Sequence, residues 1–170
     1  EVGAIGVNGV TNSFSLCGLG SPGLEYLVQV PVSAIRVHRE VLLDEMSRDG
    51  LLKRLIQNYG QFSIEQIART AACNRLHTIT QRSCLWLLTA HDCARADFFD
   101  LTHEFLALML GTRRAGVTVA LNDLEKLGII ETKRRKILVK DRGALEDVAN
   151  GSYGLPEAEY HLMFASGTLN

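Results

Sequence analysis

The stretch LTHEFLALMLGTRRAGVTVALNDLEKLGII, from Leu101 to Ile130, constrains the fold of this chain more than any other. It reads as helix, turn, helix. Thr102 can cap the first helix, Leu101 and Leu106 are placed as a hydrophobic staple across that cap, and Gly111 can take the left-handed conformation that ends it. Two helices that cross steeply through a short turn need three things: a small residue where the backbones approach, glycine in the turn, and an apolar residue facing back from the second helix. Ala107, Gly111 and Val117 supply these at offsets of four and six. Leu106, Leu110, Leu121 and Leu124 then complete a core between the helices, which leaves Arg113, Arg114, Thr118 and Asn122 to project from the second one. Polar groups at the front of such a helix are where base edges would be met.

The distribution of charge agrees. The net charge is only −1, but Arg113 to Arg142 holds nine Lys and Arg against four Asp and Glu, a local +5 set against −6 elsewhere. Basicity gathered in one segment is the footprint of a module that approaches a polyanion. Just after Gly128, Ile129 to Glu131 and Ile137 to Val139 are two β-prone runs joined by Thr132 to Lys136, so a hairpin is expected with Lys133, Arg134, Arg135 and Lys136 at its tip. Four basic residues alone make an ordinary solvated loop. Their place behind a helix-turn-helix suits phosphate contacts beside the groove.

The rest of the chain narrows the classes. A length of 170 residues suffices for one core or two small ones, and 46% hydrophobic with 22% charged residues is a globular composition. No apolar run approaches the ~20 residues needed to span a bilayer, and the N-terminus has neither the basic start nor the apolar run of a signal peptide, so a soluble, cytoplasmic protein is expected. Opening at Glu1 without an initiator Met, the chain is expected to continue upstream in its parent protein. Cys17, Cys73, Cys84 and Cys93 form no C-x-x-C pair and no zinc-like cluster with histidine, so they are read as reduced structural thiols. No metal constellation, nucleophile elbow or phosphate-cradling loop is present, and no enzyme, metal, catalytic residue or cofactor is expected. His91, Asp92 and Cys93 are adjacent, but neighbours on a helix point in different directions and form no relay by proximity. His103, in the first turn of its helix, can be a surface side chain or a phosphate contact, and Met109 is read as core.

Glu1 to Val37 is glycine-rich, with β-branched runs at Tyr26 to Val32 and Ala34 to Val37; short strands are expected, too few to close a barrel alone. A short helix runs from Arg39 to about Arg48, stopped by Gly50. From Leu51 to about Ala72 a long helix carries two apolar faces, Leu52, Leu55, Tyr59 and Phe62 on one, and Ile64, Ile67, Ala68 and Ala71 on the other. One face could cover the β segment and the other, assigned here to Leu52, Leu55, Tyr59 and Phe62, could pair with a second copy as a short coiled coil. A core helix inside a monomer is the alternative. Thr78 and Gln81 have capping-box spacing and open a further helix through Trp86, itself a core residue, to about Ala90.

Three segments carry a resemblance: TAACNRLHTITQR from Thr70 to Arg82, LTHEFLALMLGTRRAGVT from Leu101 to Thr118, and LEKLGII from Leu124 to Ile130. The chain resembles the Crp/Fnr family of bacterial transcription regulators from about Ala34 to Gly154. The resemblance implies a mainly α fold with small β elements: a truncated remnant of a cyclic-nucleotide-binding-like β-roll over 1–38, a helical dimerisation segment over 39–73, a winged helix-turn-helix over 74–150, and a tail over 151–170. It implies a homodimer bound to double-stranded DNA with the recognition helix in the major groove, and RNA polymerase as a further partner. In the family's familiar members that helix presents an Arg, a Glu and a second Arg to the bases. Arg114 matches the first, whereas the other positions fall on Ala115 and Val119, so a different operator is expected. Family members that bind cyclic nucleotides hold the phosphate with an Arg-Ser pair. Here Thr11, Asn12 and Ser13 stand in that region with no arginine before Arg36, so no cyclic AMP binding is expected.

The expected roles are therefore base reading by Arg114, Thr118 and Asn122, and phosphate contacts by Thr102, Thr112, Arg113, Lys133, Arg134, Arg135 and Lys136. The competing class is a winged-helix protein-interaction or sensor module without sequence-specific DNA binding. Ala115 and Val119 on the reading face favour it, and the basic wing opposes it.

Overall fold

The computed structural model describes residues 1–7, 9–13, 23–94 and 96–154. Its elements are α1 (Arg39–Ser47), α2 (Leu51–Leu76), α3 (Ile79–Ala94), β1 (Phe98–Asp100), α4 (His103–Leu110), α5 (Arg114–Lys126), β2 (Ile130–Lys133), β3 (Lys136–Val139) and α6 (Arg142–Val148). The three strands form one antiparallel sheet in the order β1-β3-β2.

One core holds α3 to α6 and the sheet together. Leu87 and Leu88 of α3, Leu106 of α4, Val117, Leu121 and Leu124 of α5, Ile130 and Ile137 of the sheet and Leu145 of α6 are fully buried in it. Trp86 belongs to this core, its ring edge-on to Phe99 and Phe105, and Met109 and Leu110 pack on its margin. Gly116 of α5 lies tight against α3, since a Cβ there would lie 2.8 Å from Ile79 Cδ1.

Several local expectations are met atom for atom. The Thr78–Gln81 capping box forms, with Gln81 N donating to Thr78 Oγ1 (3.3 Å) and Thr78 N donating to Gln81 Oε1 (2.9 Å). The helix it opens continues past Ala90 to Ala94, and α2 continues past residue 73 to Leu76. Two elements were not foreseen. Three-residue β1 is too short to show a period, and is held by pairing of Phe99 with Ile137 and burial of Phe99. Helix α6 is capped by Asp141, whose Oδ1 accepts from Ala144 N at 2.9 Å, and anchored by Leu145.

The N-terminal part departs from expectation. Tyr26 to Val32 and Ala34 to Val37 are exposed and form no strand. A strand exists by hydrogen bonding to a neighbour, and the described residues offer these runs none. Cys17 lies outside the described residues, as do residues 155–170 of the expected tail. Within the tail's first residues, Ser152 is buried and Tyr153 is anchored to α3 and α6: its hydroxyl bonds Asp92, and Arg142 donates to that hydroxyl.

Candidate nucleic-acid interface

The interface begins with the bend between α4 and α5. Thr102 Oγ1 accepts from Phe105 N at 3.1 Å, capping α4, and Leu101 and Leu106 are both buried as the staple requires. At the other end Gly111 is left-handed (φ 60, ψ 40), Thr112 N donates to Ala107 O and Gly111 N to Leu108 O. This pair of bonds is a Schellman closure, which satisfies carbonyls that a helix end leaves over and fixes the exit direction of the chain. A further clamp comes from α3, where Arg82 Nη2 donates to Leu110 O. Ala107 and Val117 are buried where the two helices meet.

Helix α5 then presents its polar face outward. Val117, Ala120, Leu121 and Leu124 are buried, whereas Arg113, Arg114, Ala115, Val119 and Asn122 are exposed. Arg113 is the N-cap and Arg114 the first helical residue, so both guanidinium groups stand at the leading end of the helix. Thr118 is only half-exposed, and its Oγ1 lies 3.0 Å from His103 Nδ1. That contact places His103 on the margin of the reading face and ties the Thr118 hydroxyl to α4.

A second Schellman closure ends α5, with Gly128 left-handed (φ 73), Gly128 N donating to Glu125 O and Ile129 N to Leu124 O. It turns the chain directly into β2. The hairpin is longer than its sequence suggested, since Lys133 pairs with Lys136 and only Arg134 and Arg135 form the turn. Arg135 has φ 63, a left-handed conformation uncommon for a residue with a Cβ. All four basic residues are exposed. Lys133 Nζ sits 3.1 Å from Glu131, and Lys136 Nζ lies 5.3 Å from the centre of the Phe98 ring. Cation–π and ion-pair contacts of this exposed kind orient a side chain without consuming its charge.

One link between helix and wing was not read from the sequence. Glu125 of α5 accepts from both Thr132 N (2.8 Å) and Thr132 Oγ1 (2.7 Å) on β2. The bonds from the Thr132 backbone, then those from its side chain, hold the Glu125 carboxyl below the ordinary carboxylate value. Residues seven apart across a turn carry no periodic signal, so only the folded chain brings them together.

Of the residues assigned to base reading, Arg114, Thr118 and Asn122 share the outward side of α5. Of those assigned to phosphates, Thr112 and Arg113 flank the bend, Thr102 lies at the start of α4, and Lys133 to Lys136 occupy the wing tip. The four residues assigned to a second copy are divided. Tyr59 and Phe62 are buried within this chain, the Tyr59 hydroxyl bonding the backbone at Val10, while Leu52 is exposed and Leu55 half-buried. The row left open is the other one, with Ile64, Ala68 and Ala71 exposed.

Residues 81–148 match the Crp-like helix-turn-helix domain. Solved structures similar to this chain are Crp/Fnr-family regulators. FixK2 from Bradyrhizobium japonicum superposes with a TM-score of 0.56 at 20% identity, over 66% of this chain and 59% of its own. A CRP-family transcriptional regulator from Thermus thermophilus gives 0.51 at 21% identity, over 62% and 57%. A Crp/Fnr-family regulator from Eubacterium rectale gives 0.50 at 18%, over 66% and 52%. The alignments thus span little more than half the length of these proteins, and at such identities the likeness is one of fold. No curated protein sequence matches the chain.

Proposed function

Because residues 81–148 match the Crp-like helix-turn-helix domain, we propose that this chain belongs to a homodimeric, sequence-specific DNA-binding transcription regulator. The observation that carries the reading is the division of α5: its apolar residues seat it on α3 and α4, and Arg114 and Asn122 are offered outward beside a basic wing. In this reading α5 enters the major groove, Arg114 contacts a guanine edge, Asn122 a neighbouring base, and Thr118 supports them. Thr102, Thr112, Arg113 and Lys133 to Lys136 hold phosphates on either side. No step of this function is catalytic.

For the dimer, the open row on α2 is the better-placed surface. Ile64, Ala68 and Ala71 step by four and three, the spacing of a coiled-coil seam, and the two alanines let two helices come close there. Leu52 extends the same helix toward its start. Two copies would set two α5 helices in grooves about one helical turn, or a multiple, apart. In this reading the protein regulates transcription in the cytoplasm, with RNA polymerase as a further partner. Among the described residues no helix is long and apolar enough to cross a membrane.

Fluorescence anisotropy on fragments of the promoter of its own operon, across a salt series, tests the proposal. Specific binding should weaken steeply as salt rises, and Arg114→Ala should cost about 1–3 kcal/mol on the preferred duplex alone. The competing reading, a protein-interaction module, draws on the exposed Val119. It would be supported if parent and variant bound every duplex with equal, weak affinity.

A further inference from the structure

Val119 is the residue on α5 that the proposed readout leaves without a task. Drawn at 100° per residue, the buried Val117, Ala120, Leu121 and Leu124 occupy one arc of about 100°, and Ala115 and Val119 fall within about 30° of the direction opposite its centre. Val119 is 60% exposed and lies beside Ala115 and Asn122 on this wheel, with Thr118 and then Arg114 further round on the same side. A lone exposed valine is ordinary on a protein surface. Its place here is not, because it lies opposite the buried arc, on the outward side of α5 that faces the groove in this reading. A β-branched side chain holds essentially one rotamer in a helix, so its two methyl groups point in a fixed direction before any partner arrives.

Of the groups on the floor of the major groove, one is apolar: the C5 methyl of thymine. Cytosine offers an amine that needs an acceptor, and neither Ala115 nor Val119 has one. Resting on the DNA-binding reading given above, we propose that Val119 is a specificity-determining residue that packs on a thymine methyl. Each half-site then carries an A·T pair beneath the second turn of α5. Asn122, three residues further along the same helix, suits an adenine beside it, since an amide can bond the N6 and N7 edge in two places.

The test uses the whole chain. A random duplex pool is enriched on the parent protein, and each thymine of the winning sequence is replaced in turn by deoxyuridine, which lacks only the methyl. One position in each half-site should weaken binding about fourfold, the worth of one methyl group removed from water. Val119→Ala should bind the unmodified site about as weakly as the parent binds a duplex with deoxyuridine at that position in both half-sites, and lose its sensitivity to deoxyuridine there, whereas Val119→Thr, which keeps one methyl, should retain part of it. Because Val119 is exposed, these variants keep the core intact. If the pool enriches a sequence but no deoxyuridine substitution distinguishes parent from Val119→Ala, the assignment of Val119 is overturned and the DNA-binding reading stands. If nothing enriches, both fall together.

Discussion

The bond between Glu125 and Thr132 joins the reading helix to the wing, and its removal should be measurable in both stability and pH dependence. Thr132→Val keeps the shape of the side chain and deletes the Oγ1–H that donates to Glu125 at 2.7 Å, while the backbone donor at 2.8 Å stays. A hydrogen bond to a charged acceptor contributes about 1.5–3 kcal/mol when well shielded. Glu125 is half-exposed, so screening by water brings the expected loss to about 1 kcal/mol, or roughly 4–8 °C in Tm for a domain of this size. The pH dependence follows from the direction of the Glu125 shift. Its folded pKa is depressed below the ordinary 4.5, so the unfolded chain takes up the proton first on acidification. The stability it contributes is complete above that ordinary value and is lost as pH falls through the lower folded value. Urea unfolding of parent and variant at neutral pH and again in that acidic window should show the gap between them closing on acidification. A gap of unchanged size in both conditions would refute a charged Glu125 as the acceptor. On DNA, a wing loosened from α5 should weaken binding to all duplexes alike and leave the preferred sequence unchanged.

Neutralising the wing with Arg134→Ala and Arg135→Ala should reduce the salt dependence of DNA binding by about one unit of slope per residue, without altering sequence preference; anisotropy at several salt concentrations reads this. Thr102→Ala removes the cap of α4 and should lower stability by about 1 kcal/mol in denaturant unfolding, because the Phe105 amide loses its acceptor. Burial pushes the Cys84 thiol up to about 12, so a thiol reagent at neutral pH should label it only after unfolding, as mass spectrometry of the digested protein can show. Ile64→Glu on the open row of α2 should shift the chain toward monomer in analytical ultracentrifugation, while Leu52→Glu should do so less; an unchanged sedimentation coefficient in both would move the interface elsewhere.

The helix-turn-helix was legible because each of its parts is a local rule. A cap, a staple, a left-handed glycine and a small residue at the crossing all act within a few positions of one another, and Thr102, Leu101, Gly111 and Ala107 each do what their sequence neighbours require. The wing was legible as composition and became exact only as pairing, since Lys133 opposite Lys136 is a register that a run of basic residues cannot express. Strand β1 and helix α6 escaped notice for a different reason. Their stability comes from Ile137, Leu138 and the α3 surface, contributed by residues far along the chain. The same limit explains the N-terminal runs, where β-branched sequence promised strands that need partners to exist.

The long helix shows most clearly what periodicity can and cannot decide. Its two apolar faces were both visible, and nothing in their spacing said which would be spent inside the chain. The folded chain buries Tyr59 and Phe62 within itself, Tyr59 against its own N-terminal residues, because a tyrosine needs a hydrogen-bond partner when buried and the backbone at Val10 supplies one. The side chains of the Ile64, Ala68 and Ala71 row have no polar atom to satisfy, so the row can close against an identical surface without leaving a buried side-chain group unpaired. A symmetric pair formed there would tie the spacing between the two Arg114 side chains to α2 as well as to the recognition helices.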